Sequence, residues 1–357
     1  MGRFPKLEAW LRGEKQPTFK QLESFAKAVH APIGFFFLAA PPEETVPIPD
    51  LRTVGSQGLS RPSPDLLDTI YTCQQRQDWY REHARTTGEG AVSFIGSARL
   101  TDPPEEVAER IRRVLAFSVE ERNAMRSWSE ARRRFIEQAE SAGMMVMVSG
   151  VVGSNNRRKL DPGEFRGFAL SDPLAPLVFI NGADSKSAQM FTLAHEIAHL
   201  WLDQTALSDA GPRTLSTHET ERWCNQVAAE LLVPMTALLA EYRADESIGE
   251  QPQRLARAFK VSTLVILRRL FDANKLTRTA FWEAYDLEVQ RLHEIAPSGS
   301  GGNFYNTTAA RVGKRFASAI IGSTLEGRAS FAEALRLLGF KKMSTFHDLG
   351  RVVGVER

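Results

Sequence analysis

Residues 189 to 202 read QMFTLAHEIAHLWL, and no other stretch constrains the fold of this chain so tightly. His195 and His199 are four apart. On a helix both imidazoles therefore lie on one face and can reach a single ion, with Glu196 beside them to hold a water. Met190, Phe191, Leu193, Ala194, Ile197, Ala198, Leu200 and Trp201 surround this polar triad, so the helix is apolar on its other faces and must be buried. Buried imidazoles and a buried carboxylate have to be paired or coordinated. The pentapeptide thus calls for a hydrophobic core built around a polar centre.

Two histidines do not complete a site, because a catalytic zinc takes three protein ligands and keeps one position open. After His199, suitable atoms are carried by Asp203, Asp209, His218, Glu219, Glu221 and Glu230. The run ETERWCNQVAAELLVP is the next strongly helical stretch, and Pro234 ends it. On that helix Glu221, Asn225, Ala228 and Leu232 share one stripe, with small Ala228 allowing close approach to a facing helix. Glu221 is the expected third ligand. Asn225, one turn on, is placed to fix the tautomer of a ligand imidazole. Glu230 lies about 180° from Glu221 at roughly 100° per residue and is expected to face away. His218, three residues before Glu221, is the nearest candidate for a donor to a tetrahedral oxyanion.

HEIAHLWL followed by ETERWCNQVAAELLVP resembles the ImmA/IrrE metallopeptidases, whose pattern is HExxH, then a Glu-x-x-x-Asn/Asp helix running into a small-residue pair and Leu-Leu-x-Pro. The resemblance is strongest over roughly residues 141–234. It implies zinc, or another divalent ion such as Mn2+, held by His195, His199 and Glu221, with Glu196 as general base for peptide hydrolysis. It also implies a protein substrate, a DNA-binding repressor or antitoxin-like partner cut at one site in a stress or mobile-element circuit. Cys224 stands where the family often has Ala. The rival reading is a DNA-binding regulator or antitoxin-like protein in which the zinc site is structural or vestigial.

At 357 residues, 43% apolar and 25% charged, the composition is that of an ordinary globular protein of two or three domains. No apolar run approaches about 18 residues and no leader pattern opens the chain, so a cytoplasmic location without a membrane partner is expected. Cys73 and Cys224 are too few for a disulfide framework and read as small buried residues. A net charge of +2 is too weak to argue a nucleic-acid partner for the whole chain.

In chain order, residues 1–40 have helical spacing at Leu22, Phe25, Ala26 and Val29 and resemble the second half of an XRE-type helix-turn-helix domain. Residues 41–64 form a Pro-rich connector. Residues 65–234 are expected to be the peptidase domain with a helical lead-in: a helix over Asp65–Thr87, one started by the Asp102–Glu105 turn and running through Val107, Ile111 and Leu115, and one over Trp128–Ala142, with Arg132, Arg133 and Arg134 on its outer face. Strands follow at Met144–Val148, Arg166–Ser171 and Leu177–Asn181. Gly167, Phe168, Ala169 and Leu170 are the candidate edge strand for pairing with a substrate backbone. Residues 235–294 contain a helix-turn-helix-like stretch in which 254–278 hold seven Lys/Arg against one Asp, so any DNA contact is expected at 253–278, with a purely structural helical lid as the other reading of this stretch. A Gly/Ser linker at 295–303 leads to a helical extension, 304–357. The expected class is α+β, mostly helical, with a small zincin-like sheet packed on the HExxH helix and flanking helical segments.

Overall fold

The computed structural model describes residues 4–42, 44–51, 62–208, 218–294 and 304–356. The expected linker 295–303, the connector beyond Leu51 up to 61 and the candidate Asp209 lie outside them. The architecture is mostly helical with one small sheet, as the sequence led us to expect.

The N-terminal part comprises α1 (Leu7–Leu11), α2 (Phe19–Val29) and a 3-10 turn (Ile33–Phe37). Thr18 starts α2 with a capping box: its hydroxyl accepts the Gln21 N–H while the Gln21 side chain accepts the Thr18 N–H. Phe4, Trp10, Phe25 and Phe36 pack edge to face into a small aromatic cluster that holds these pieces together.

Then come α3 (Pro64–Thr87), α4 (Pro104–Leu115), α5 (Val119–Ala124) and α6 (Trp128–Ser141). Ser63, Ser118 and Ser127 cap α3, α5 and α6 by accepting backbone N–H groups, and Gly88 closes α3 in the left-handed conformation. One expectation fails here. Arg132 does not sit on an outer face; it turns inward and donates to Gln189 Oε1 at 2.6 Å, a partner that a charge run does not reveal.

The sheet contains β1 (Met145–Ser149), β2 (Gly167–Leu170), β3 (Leu177–Asn181) and, after the helix α7 (Lys186–Trp201), β4 (Ala206–Ser208). Spatial order is β1-β3-β2-β4, with β1 parallel to β3 and the other two pairings antiparallel. Alternation across the pleat sorts the side chains. Val146, Val148, Ala169, Val178 and Ile180 face the core that contains α7, while Met145, Met147, Phe168, Leu170, Leu177 and Phe179 face the opposite one. Both faces are covered, which is why these strands read as nearly continuous apolar runs.

The order corrects the assignment of Gly167, Phe168, Ala169 and Leu170 to an edge. They form β2, but β2 lies inside the sheet between β3 and β4. The outer position belongs to β4, only three residues long and too short to show a period.

The α7-facing core also takes up α4, α6 and α8 (Glu219–Leu232), followed by α9 (Met235–Glu241), α10 (Gln251–Phe259) and α11 (Thr263–Asp272). Leu255, Ala256, Phe259, Val261, Val265, Ile266 and Leu270 are buried there, the core read from the sequence of this stretch. Buried Arg269 pairs with Glu230 of α8 and donates to Val233 O at 3.0 Å, tying α11 onto the helix that carries Glu221. Helix α12 (Arg278–Glu294) packs on α11 through Phe281 and Tyr285.

Helices α13 (Phe304–Val312), α14 (Lys314–Leu325), α15 (Phe331–Leu338) and α16 (Met343–Val353) join α3 on the other face of the sheet. Gly313, at φ +79°, separates α13 from α14; a Cβ there would stand 3.0 Å from Val146 O, so the turn both needs positive φ and touches β1. Among the described residues no helix is long and apolar enough to cross a membrane.

Candidate metal centre

Helix α7 begins at Ser185, whose hydroxyl accepts the Ala188 N–H, and ends beyond Trp201. Every residue from Gln189 to Trp201 is buried, so the all-round apolar pattern was a faithful sign of burial. Its spacing places the His195 and His199 Nε2 atoms 3.1 Å apart.

Glu221 arrives from α8. Its Oε2 stands 3.3 Å from His195 Nε2 and its Oε1 3.0 Å from His199 Nε2. The helices come this close because the stripe beside Glu221 carries Cys224 and Ala228, both fully buried and small. Glu230 points away, as its position on α8 requires, and is used in the pair with Arg269.

His195, His199 and Glu221 are the group of potential ligands that the described residues bring together. Two imidazole nitrogens and a carboxylate facing one point present lone pairs to each other, which is unfavourable unless a proton or a cation lies among them. Ligands of one tetrahedral ion at about 2.0–2.1 Å are separated by roughly 3.3 Å, close to the spacings found. The donor set and its burial therefore fit a divalent ion. Neither cysteine competes for it: burial pushes the Cys73 thiol up to about 12 and raises Cys224 well above its ordinary value.

The charges of the site respond to burial first. It opposes the charge on Glu221, yet the His195 and His199 imidazoles outweigh it and hold the carboxyl well below the usual range. His195 is likewise pushed down by burial and up by Glu221, with the net shift upward; for His199 burial wins and the shift is downward. Glu196 is raised to about 8, mainly by burial. Its Oε1 has no hydrogen-bond partner among the described residues, an acceptor left open beside the two histidines.

Asn225 lies against His195 and favours its charged form, and Gln204 does the same for His199. The Nδ1 atoms of both imidazoles make no hydrogen bond of good geometry among the described residues. His218 is exposed at the start of α8, three residues before Glu221.

Sequence reasoning missed Gln204 and Ser208, and gave Gly167 a different role. Gln204 follows α7 within two residues of a turn and shows no motif. Ser208, at the end of β4, places its Oγ 3.2 Å from His199 Nε2 and 3.4 Å from Glu196 Oε2. Gly167, paired with Ser208 in the ladder, makes room for the carboxylate: a Cβ there would meet Thr192 Cγ2 at 2.6 Å, Phe179 O at 2.9 Å and Glu196 Oε1 at 3.1 Å. For Gly167 the period-two alternation of β2, which puts it on the α7 side with Ala169, was the signal available; for Ser208 and Gln204 there was none.

Residues 139–271 match the peptidase M78 family model, described as an IrrE N-terminal-like domain. Residues 312–351 match a domain family of unknown function, which spans α14, α15 and most of α16. Neither of these two models covers residues 1–138. No curated protein and no solved structure gave a significant match. The segment from the end of α6 through α11, with the HEIAH helix and Glu221 at its centre, is an IrrE N-terminal-like domain, and it places this peptidase-family part of the chain in the ImmA/IrrE family.

Proposed function

We propose that the chain is a zinc-dependent endopeptidase that cuts a protein partner, a DNA-binding repressor or antitoxin-like protein, at a specific site. The convergence of His195 Nε2, His199 Nε2 and both Glu221 oxygens, beside a Glu196 Oε1 that has no hydrogen-bond partner among the described residues, is the observation that carries this reading.

His195, His199 and Glu221 would hold the ion. When bound, zinc supplies Lewis acidity, polarising the scissile carbonyl and lowering the pKa of a water towards about 7. Glu196, held ionised against the effect of burial by the positive charge of the ion, accepts a proton from the attacking water at Oε1 and passes it to the leaving amine as the C–N bond breaks. Ser208 steadies the other oxygen of Glu196. Asn225, which lies against His195, would orient its ring by accepting from Nδ1–H. Among the described residues neither buried thiol is an activated nucleophile, and the Ser208 hydroxyl would find no free base in His199 once that nitrogen holds the ion, so direct attack by water suits the site.

The DNA contact expected at 253–278 has fewer cations to draw on than the sequence count suggests. Arg269 is buried against Glu230, Arg254 pairs with Glu246, and Arg268 pairs with Asp272. This favours the helical pair as a buttress for α8; a phosphate contact there would draw on exposed Arg257, Lys275 and Arg278.

The test is to incubate the zinc-loaded chain with proteins encoded beside its gene and look for one defined fragment pair by mass spectrometry. A single cut, lost on chelation and in Glu196→Gln, is expected. A chain that binds zinc stoichiometrically yet cuts none of these proteins, nor a denatured general substrate, would sink the reading.

A further inference from the structure

The edge of the sheet nearest the metal centre is already paired. β4 is outermost, and Ser208, its last residue, reaches Glu196 and His199. Leu207 turns its backbone groups outward, away from β2. Both are taken by the connector: Leu207 N donates to Pro49 O at 2.9 Å, and Leu51 N donates to Leu207 O at 3.0 Å. Asp50 is thereby bridged in parallel to Leu207.

This added strand is minimal. Pro47 and Pro49 have no N–H, so the segment has few donors with which to lengthen the ladder upstream. Ile48, 7% exposed, is its apolar anchor in the core beneath the sheet. A single bridge with one seated side chain is a contact that tethering favours, because the local concentration of a linked segment reaches the millimolar range. The centre itself is closed, with His195, Glu196 and His199 at 0% exposure, so an incoming chain needs a place to engage before it reaches the ligands.

We propose that the outer edge of β4 is a strand-exchange site for an extended peptide, and that residues 48–51 are its resident intramolecular occupant. The incoming segment presents an N–H where Leu51 has one, a carbonyl two residues earlier, and an apolar side chain where Ile48 sits. Main-chain pairing supplies affinity and the apolar seat supplies selectivity. That the incoming strand is a substrate rests on the peptidase reading above; the exchange itself does not.

The experiment uses the full chain carrying Leu51→Pro, which deletes the resident N–H donor, and a fluorescein-labelled peptide of residues 46–51 followed by anisotropy. The variant is expected to bind the peptide at least tenfold more tightly than the unaltered chain, and N-methylation at the peptide's leucine is expected to remove at least tenfold of that affinity. Equal binding by variant and unaltered chain, or indifference to N-methylation, would overturn the proposal. Should Leu51→Pro fail to fold by circular dichroism, amide exchange in the unaltered chain decides: the Leu207 amide should exchange at least tenfold faster than the amides of β3, and equally slow exchange counts against it. Peptide capture is read without turnover. Capture with no cleavage of any protein leaves the exchange site standing and removes the peptidase reading, whereas cleavage with no capture does the reverse.

Discussion

Ser208 holds its hydroxyl 3.4 Å from Oε2 of Glu196, across a ladder in which its pairing partner is Gly167. The same oxygen lies 3.2 Å from His199 Nε2, so with that nitrogen occupied by an ion the single hydroxyl proton is left for the carboxylate. A hydrogen bond to a charged group contributes about 1.5–3 kcal/mol, and its loss lets Glu196 turn from the water. Ser208→Ala is expected to keep one metal per chain and lower kcat by roughly tenfold or more with KM little changed. Ser208→Thr, which keeps the hydroxyl, should restore most of the rate. Loss of metal in Ser208→Ala would show that the residue supports the ligands rather than the base.

Glu196 and Glu221 are both buried carboxylates of the same site, and they are told apart by role. Glu196→Gln keeps the shape and removes the base, so metal content should stay near one per chain while hydrolysis falls by at least about a hundredfold. Glu221→Gln puts a neutral amide where two imidazoles need a negative partner, so metal affinity itself should drop. Metal analysis after dialysis separates the two, and the opposite pattern would exchange the roles assigned here.

Gly167 has no freedom to grow. Of the three contacts a Cβ would make, the one to Phe179 O at 2.9 Å is with the backbone of the neighbouring strand, which cannot swing aside as a side chain can. Gly167→Ala is expected to cost about 1–3 kcal/mol through overpacking, read as a drop in denaturation midpoint at unchanged slope. The strain also presses on Glu196 Oε1, 3.1 Å away, so activity should fall more than stability alone explains. An unchanged midpoint would show that β2 relaxes away from α7.

What was legible before the structure followed from local periodicity. The α7 burial, the face shared by His195 and His199, the stripe on α8 that offers Glu221 and turns Glu230 away, and the places of three strands along the chain all follow from spacing within one element. What was not legible depended on partners distant in the chain. Nothing near Gly167 says that Ala206–Ser208 will pair outside it, and a three-residue strand has no period to read. Arg132 looked like surface because its partner, Gln189, is 57 residues away. The C-terminal stretch read as a helical extension with no address, and the seat of its helices against α3 and the far face of the sheet came from tertiary contacts alone.

The junction between that C-terminal module and the sheet carries its own pH dependence. Glu140, near the end of α6 and 8% exposed, accepts the Arg315 N–H at 3.0 Å from the first turn of α14. Burial pushes its carboxyl up to about 7, only partly offset by the backbone N–H groups of Arg315 and Lys314. Because the folded value lies above the ordinary one, the folded chain keeps a proton that the unfolded chain releases between about pH 4.5 and 7. Stability from this group is therefore highest below that window and declines as pH rises through it, by at most about 3 kcal/mol. Glu140→Gln keeps an acceptor for the Arg315 N–H and removes the charge. In urea unfolding it should be more stable than the unaltered chain at pH 8 by about 1–3 kcal/mol and equal to it within error at pH 4.5. A difference of the same size at both pH values would mean that shape or hydrogen bonding, and not the buried charge, governs this junction.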